Sequence, residues 1–164
     1  FLNFKKLIYI IYIYILISYL SILLYLTSDF NYYEFTAIIL CISCFDSACY
    51  LFGKIFGKNK LLYTISPNKT YEGLLGGIIL TNLISIIVYF NFDIYKNSIN
   101  IDVFFFINIV ILFSFFGDLL QSYFKRLSSL KDSSNFLPGH GGFFDRFDSF
   151  LLVIIPFSIH KILF

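Results

Sequence analysis

The sequence predicts an all-α, polytopic membrane protein with about five transmembrane helices, and three observations lead there. Hydrophobic residues make up 59% of the 164 and charged residues only 13%, whereas a soluble domain carries about a quarter charged residues. Five apolar stretches reach or approach the roughly 20 residues that a helix needs to cross a hydrocarbon core of about 30 Å. The basic residues alternate by side: Lys5 and Lys6, then Lys54, Lys58, Lys60 and Lys69, then Lys125, Arg126, Lys131 and Arg146 fall in alternate connections, leaving only Lys96 and Lys161 opposite. By the bias of Lys and Arg towards the cytoplasm, the N-terminus and both long loops are expected there.

The first stretch, about Leu7 to Leu26, contains no charge. A secretory signal would have a shorter apolar core and a small-residue cleavage site, so a membrane helix fits better. The second runs from about Phe35 to Phe52 and is interrupted by Asp46. The third is about Gly73 to Phe90, and the fourth about Val103 to Leu120 with Asp118 near its end. The fifth, Ser149 to Phe164, is short. No repeat or linker divides the chain, so residues 1–164 are read as one membrane domain. The excess of Ile, Phe, Tyr, Lys and Asn is what an AT-rich genome produces and carries no function by itself.

Cys41 and Cys44 form a C-x-x-C pair, with Cys49 nearby in the same apolar stretch. A zinc site needs further ligands, and both histidines lie far away in sequence. Reduced thiols packing a membrane helix are the expectation.

The chemistry is expected in the polar, glycine-bearing segment from Gln121 to Asp148, because long connections in compact proteins are usually functional or disordered. Asp145 and Asp148 are three apart, and on a helix their carboxylates would converge on one cation; Asp118 supplies a further oxygen. Oxygen ligands combined with phosphates suit Mg²⁺. Lys125, Arg126, Lys131 and Arg146 form a positive cluster beside these acids, as a metal–polyphosphate site requires. Taken alone, the basic residues would equally serve lipid headgroups. In P-G-H-G-G, Pro138 to Gly142, exposed N–H groups can form an anion nest, and His140 can bind phosphate or serve only the loop's structure. In S-P-N-K-T-Y-E-G, Ser66 to Gly73, Thr70 can cap the following helix and Lys69 brings charge to the membrane surface, although the spacing is not that of a P-loop. Asp46 in mid-helix costs about 2.5–3.5 kcal/mol on insertion scales. Lining a polar cavity or pairing with a Lys would each offset that.

The stretch S-Y-F-K-R-L-S-S-L-K-D-S-S-N-F-L-P-G-H-G-G-F-F-D-R-F-D, Ser122 to Asp148, resembles the signature of phosphatidate cytidylyltransferases, also called CDP-diglyceride synthases. Asp46, Tyr50, Gly53, Gly57 and Lys58, followed by Ser66, Pro67, Lys69, Thr70, Glu72 and Gly73, resemble the family's other conserved block, and Gly117-Asp118-Leu119 fits the element before the signature. The resemblance covers roughly Asp46 to Phe150. Gln121 departs from the family's usual Glu, and Cys49 from its Ala. Family members are longer, so together with the absence of Met the resemblance implies that N-terminal helices are missing from this chain.

The resemblance implies condensation of CTP with phosphatidate to CDP-diacylglycerol and pyrophosphate in a bacterial inner membrane, with the active site facing the cytoplasm. It implies Mg²⁺ on Asp118, Asp145 and Asp148, with a second divalent or a monovalent cation left open. Phosphates would fall to Lys125, Arg126, Lys131 and Arg146; Ser66, Lys69, Ser122 and His140 are substrate-binding candidates. CTP, phosphatidate and membrane lipid are the implied partners, a homodimer is left open, and no nucleic acid is expected. A CDP-alcohol phosphotransferase is the rival enzyme, but its D-G-x-x-A-R element is absent and its final acids are spaced by four. An ion-coupled transporter using Asp46 and Asp118 is the rival of another class, and the inverted repeats typical of such proteins are not found.

Overall fold

The computed structural model of the protein describes residues 4–28, 30–91, 103–128 and 147–163. Five helices and one hairpin follow in the order α1 (Phe4–Thr27), α2 (Tyr32–Phe56), β1 (Lys60–Leu62), β2 (Ser66–Thr70), α3 (Tyr71–Asn91), α4 (Val103–Leu127) and α5 (Asp148–Leu163). Among the described residues, four helices are long and apolar enough to cross a membrane: Ile8–Thr27, Tyr32–Phe56, Tyr71–Val88 and Phe104–Leu127. The protein is therefore an all-α polytopic membrane protein. α5 is a fifth, shorter helix of 16 residues.

Much of the apolar surface faces outwards, as lipid solvation demands: Tyr9, Tyr12 and Ile13 on α1 and Leu75, Ile79 and Ile87 on α3 are all at least half exposed. The interior is built where α2, α4 and α5 meet. Ala37, Ile38, Cys41 and Phe45 pack with Phe106, Ile107 and Val110 and with Val153, Ile154 and Phe157. The Phe106 and Phe157 rings lie 5.1 Å apart across α4 and α5. All three cysteines are free, and buried Cys41 belongs to this core, as expected of inert packing residues.

α2 and α3 approach closely because glycines line the contact. A Cβ on Gly77 would collide with Cys49 Sγ, and one on Gly76 with the Phe52 ring. In a bilayer, where apolar surface gains little from leaving lipid, such small residues let two backbones come within van der Waals range. The larger Cys49 side chain is accommodated because its neighbour is a glycine.

Within this all-α architecture a short hairpin precedes α3, formed by the stretch that ends at Thr70. β1 and β2 pair antiparallel with Lys60 opposite Thr70 and Leu62 opposite Ser66, a register irregularity intervening. Glu72 closes the hairpin's base, accepting from Lys58 N and Asn59 N at 3.2 Å and from Asn59 Nδ2 at 2.8 Å. Arg126 Nε donates to Ile65 O at 3.2 Å and pins the turn to α4. The capping role expected of Thr70 is present, with buried Thr70 Oγ1 accepting from Gly73 N at 3.1 Å. Thr70→Val keeps the shape but strands that N–H, and should lower stability by about 1 kcal/mol, read as a fall in the thermal midpoint in detergent. α4 also runs further than expected. Gln121–Leu127 continue the helix rather than opening a loop, and Lys125 and Arg126 in its last turn complement the negative end of its dipole.

Candidate active site

The hairpin end of the bundle encloses a cavity of about 340 Å³. Each supporting element contributes to its lining. α2 gives Phe45, Asp46, Cys49 and Tyr50; β2 gives Ser66, Asn68, Lys69 and Thr70; α3 begins with Gly73 and Leu74; α4 offers Phe115 and Asp118; α5 starts with Asp148. Apolar Phe45, Leu74 and Phe115 form one part of the wall, and three acids, a lysine and uncharged polar groups such as Ser66 and Asn68 form much of the rest. Such a mixed wall suits a ligand with a charged head at the membrane surface.

Asp118 and Asp148 meet because α4 and α5 touch at Gly117. A Cβ there would lie 2.8 Å from Asp148 O and 3.1 Å from Ser149 Cα, so only glycine lets the start of α5 settle against α4 beside Asp118. Lys69 reaches across from the hairpin, its Nζ 2.5 Å from Asp118 Oδ2 and 5.1 Å from the centre of the Phe115 ring. Neither partner is deeply enclosed, their side chains being 23% and 30% exposed, so the pair can be exchanged for a ligand. Burial first, and then the charge of Asp118, push the Asp148 carboxyl above the ordinary carboxylate range, while its bond from Ser149 N and the charges of Lys125 and Lys69 pull it back. Crowded carboxylates of this kind are relieved by a proton or a cation.

Of the residues singled out in the sequence, the structure brings Ser66, Lys69, Asp118 and Asp148 to one cavity. Lys125 acts on Asp148 electrostatically. Ser122 lies one turn beyond Asp118 on α4 and does not line the cavity. Arg126, expected to bind phosphate, donates from Nε to Ile65 O in the hairpin turn. Lys131, His140, Asp145 and Arg146 lie outside the described residues, and with them the Asp145–Asp148 convergence; α5 itself begins at Asp148.

Asp46, to which the sequence assigns no definite role, joins the same wall. The signal is its insertion cost, which requires a compensating environment. Asn68 and Phe115 escape a reading of the sequence, since nothing in their local pattern separates them from neighbours that face elsewhere. The carboxylates of Asp46, Asp118 and Asp148 are oxygen donors, the ligand type that a hard cation such as Mg²⁺ prefers. Among the described residues, however, no three His, Cys, Asp or Glu side chains are close enough to hold an ion by themselves.

Residues 2–163 match the Cytidylyltransferase family. The chain is 44% identical over 112 residues to a phosphatidate cytidylyltransferase of Staphylococcus haemolyticus, a match covering 66% of this chain and 41% of that protein. The same enzyme of Staphylococcus aureus is 43% identical over 112 residues with the same coverage, and that of Staphylococcus epidermidis 44% over 110 residues, again 66% and 41%. The match thus spans about two fifths of the length of these relatives. With the family's pattern running nearly from end to end, this chain belongs to the cytidylyltransferase family.

Proposed function

We propose that the chain transfers the cytidylyl group of CTP to phosphatidate at the cytoplasmic face of a bacterial inner membrane, yielding CDP-diacylglycerol and pyrophosphate. The observation that carries this reading is the meeting of Asp118, Asp148 and Lys69 around one cavity at a membrane helix end. Anionic phosphates and a cation need just these opposite charges side by side.

An oxygen of the lipid phosphate forms the new bond to the α-phosphorus of CTP while the α–β anhydride bond breaks and pyrophosphate leaves. That oxygen is already anionic at neutral pH, so no serine or cysteine nucleophile is required. Alignment and charge neutralisation are left for the protein to supply. Lys69, released from Asp118, turns to a phosphate oxygen, and Lys125 adds positive charge near Asp148. Ser66 and Asn68 offer hydrogen bonds to nucleotide or headgroup. Lys131, His140 and Arg146 are assigned to the phosphates on the family's pattern. A divalent cation such as Mg²⁺ on Asp118 and Asp148, completed by Asp145 and phosphate oxygens, would supply further neutralisation of the leaving pyrophosphate. The exposed apolar helix faces let the lipid's acyl chains remain in the bilayer while its headgroup enters.

The test is purified protein in detergent with phosphatidate, Mg²⁺ and radiolabelled CTP. Labelled CDP-diacylglycerol and equimolar pyrophosphate are expected. Absence of that product, or product only from CDP-diacylglycerol plus an alcohol, contradicts the proposal.

A further inference from the structure

At the opposite end of the bundle from the cavity, Lys161 Nζ lies 3.5 Å from Glu34 Oε2, with side chains only 12% and 11% exposed. Lys161 Nζ also sits 4.4 Å over the centre of the Tyr25 ring. Glu34 stands in the first turn of α2 and Lys161 in the last turn of α5. The pair therefore joins the same two helices that carry Asp46 and Asp148 to the cavity.

The spacing along the two helices matches. Glu34 and Asp46 are 12 residues apart on α2, and Asp148 and Lys161 are 13 apart on α5, which correspond to about 18 Å and about 20 Å of helix rise. The helices run in opposite directions, so one rung holds the ion pair and the other holds the acids of the site. A slide of α5 by even one residue would carry Asp148 away from Asp118. A buried ion pair is also a poor source of stability, since apolar side chains of similar volume serve as well or better. Its directional geometry is what apolar packing would not provide.

We infer that Glu34 and Lys161 are positioning residues: their ion pair at the far end of the bundle sets the axial placement of α5 against α2 and so holds Asp148 at the cavity. The catalytic consequence rests on the function proposed above, whereas the positional one does not.

The two are separated by measuring position directly. Spin labels are placed at exposed Phe56 and Phe147, at the hairpin ends of α2 and α5, in the full chain with Cys41, Cys44 and Cys49 replaced by Ala. Double electron–electron resonance should give one narrow distance for the wild-type pair. Glu34→Gln and Lys161→Gln should shift or broaden it, Lys161→Arg should leave it unchanged, and the reversed double variant Glu34→Lys/Lys161→Glu should restore it. In the cytidylyl-transfer assay, the single variants should need about tenfold more Mg²⁺ for half-maximal rate, with the reversed pair returning towards wild type. An unchanged distance distribution in both single variants overturns the inference, as does a reversed pair that behaves like the singles. Should the singles fail to assemble in detergent, the reversed pair alone decides: a wild-type distance supports the inference and a displaced one overturns it. Distances that respond as expected in a protein with no transferase activity would sink the proposed function and leave the positioning pair standing.

Discussion

Asp118→Asn should lower kcat for CDP-diacylglycerol formation by about 10²–10³-fold without preventing membrane insertion. Asn nearly preserves the volume of the side chain but removes the charge that faces Asp148 and binds Lys69. If the carboxylate serves a cation, the loss falls mainly on kcat and on the Mg²⁺ dependence. If Asp118 merely holds Lys69 in place, Lys69→Gln should cost as much, and the double variant Asp118→Asn/Lys69→Gln should be no worse than either single one. Separate roles for the two side chains predict otherwise. Lys69→Gln should chiefly raise KM for CTP, and the double variant should be slower than both. Steady-state kinetics of the three proteins at saturating and limiting Mg²⁺ distinguishes these outcomes.

Gly73→Leu is the second change with a large expected effect. A Cβ at this position would lie 2.8 Å from the Cys49 carbonyl oxygen and 3.0 Å from Gly53 Cα. Both obstacles are backbone, so no rotamer change relieves them; α2 and α3 must part. Overpacking of this kind typically costs about 1–3 kcal/mol. Because Gly73, Cys49 and Asp46 line one cavity, separation of the helices also widens the site. Thermal unfolding in detergent should show the lower midpoint, and the transfer assay a loss of activity even at temperatures where the variant remains folded. Gly73→Ala should fall between, with the same direction on both readouts.

The helical membrane architecture is legible in the sequence because apolar runs of about 20 residues have few other uses. Asp46 and Asp118 likewise stand out in the sequence itself, since each lies within or at the end of such a run. The hairpin is not legible. Its strands are only 3 and 5 residues long, Pro67 interrupts one of them, and it is closed by Glu72 and Arg126 from separate helices. No alternation of polar and apolar residues announces it. Polarity misplaces the end of α4 for a related reason: Gln121, Lys125 and Arg126 leave the apolar pattern but not the helix. Arg126 groups with the phosphate ligands by charge, and charge alone cannot reveal that its guanidinium engages Ile65. The Glu34–Lys161 pair joins residues 127 positions apart, beyond any local motif.

Central to the proposed mechanism is a cation held by carboxylates of α4 and α5 against the phosphates of a nucleotide. Electron–nuclear double resonance on Mn²⁺ substituted for Mg²⁺ in the presence of CTP tests it most directly. Shared ligation predicts, in protein labelled with ¹³C at its aspartate carboxylates, a ¹³C coupling alongside the ³¹P coupling of nucleotide phosphate, with the ¹³C coupling reduced or lost in Asp118→Asn/Asp148→Asn. The same ¹³C coupling and the same Mn²⁺ affinity in the doubly substituted protein would contradict it.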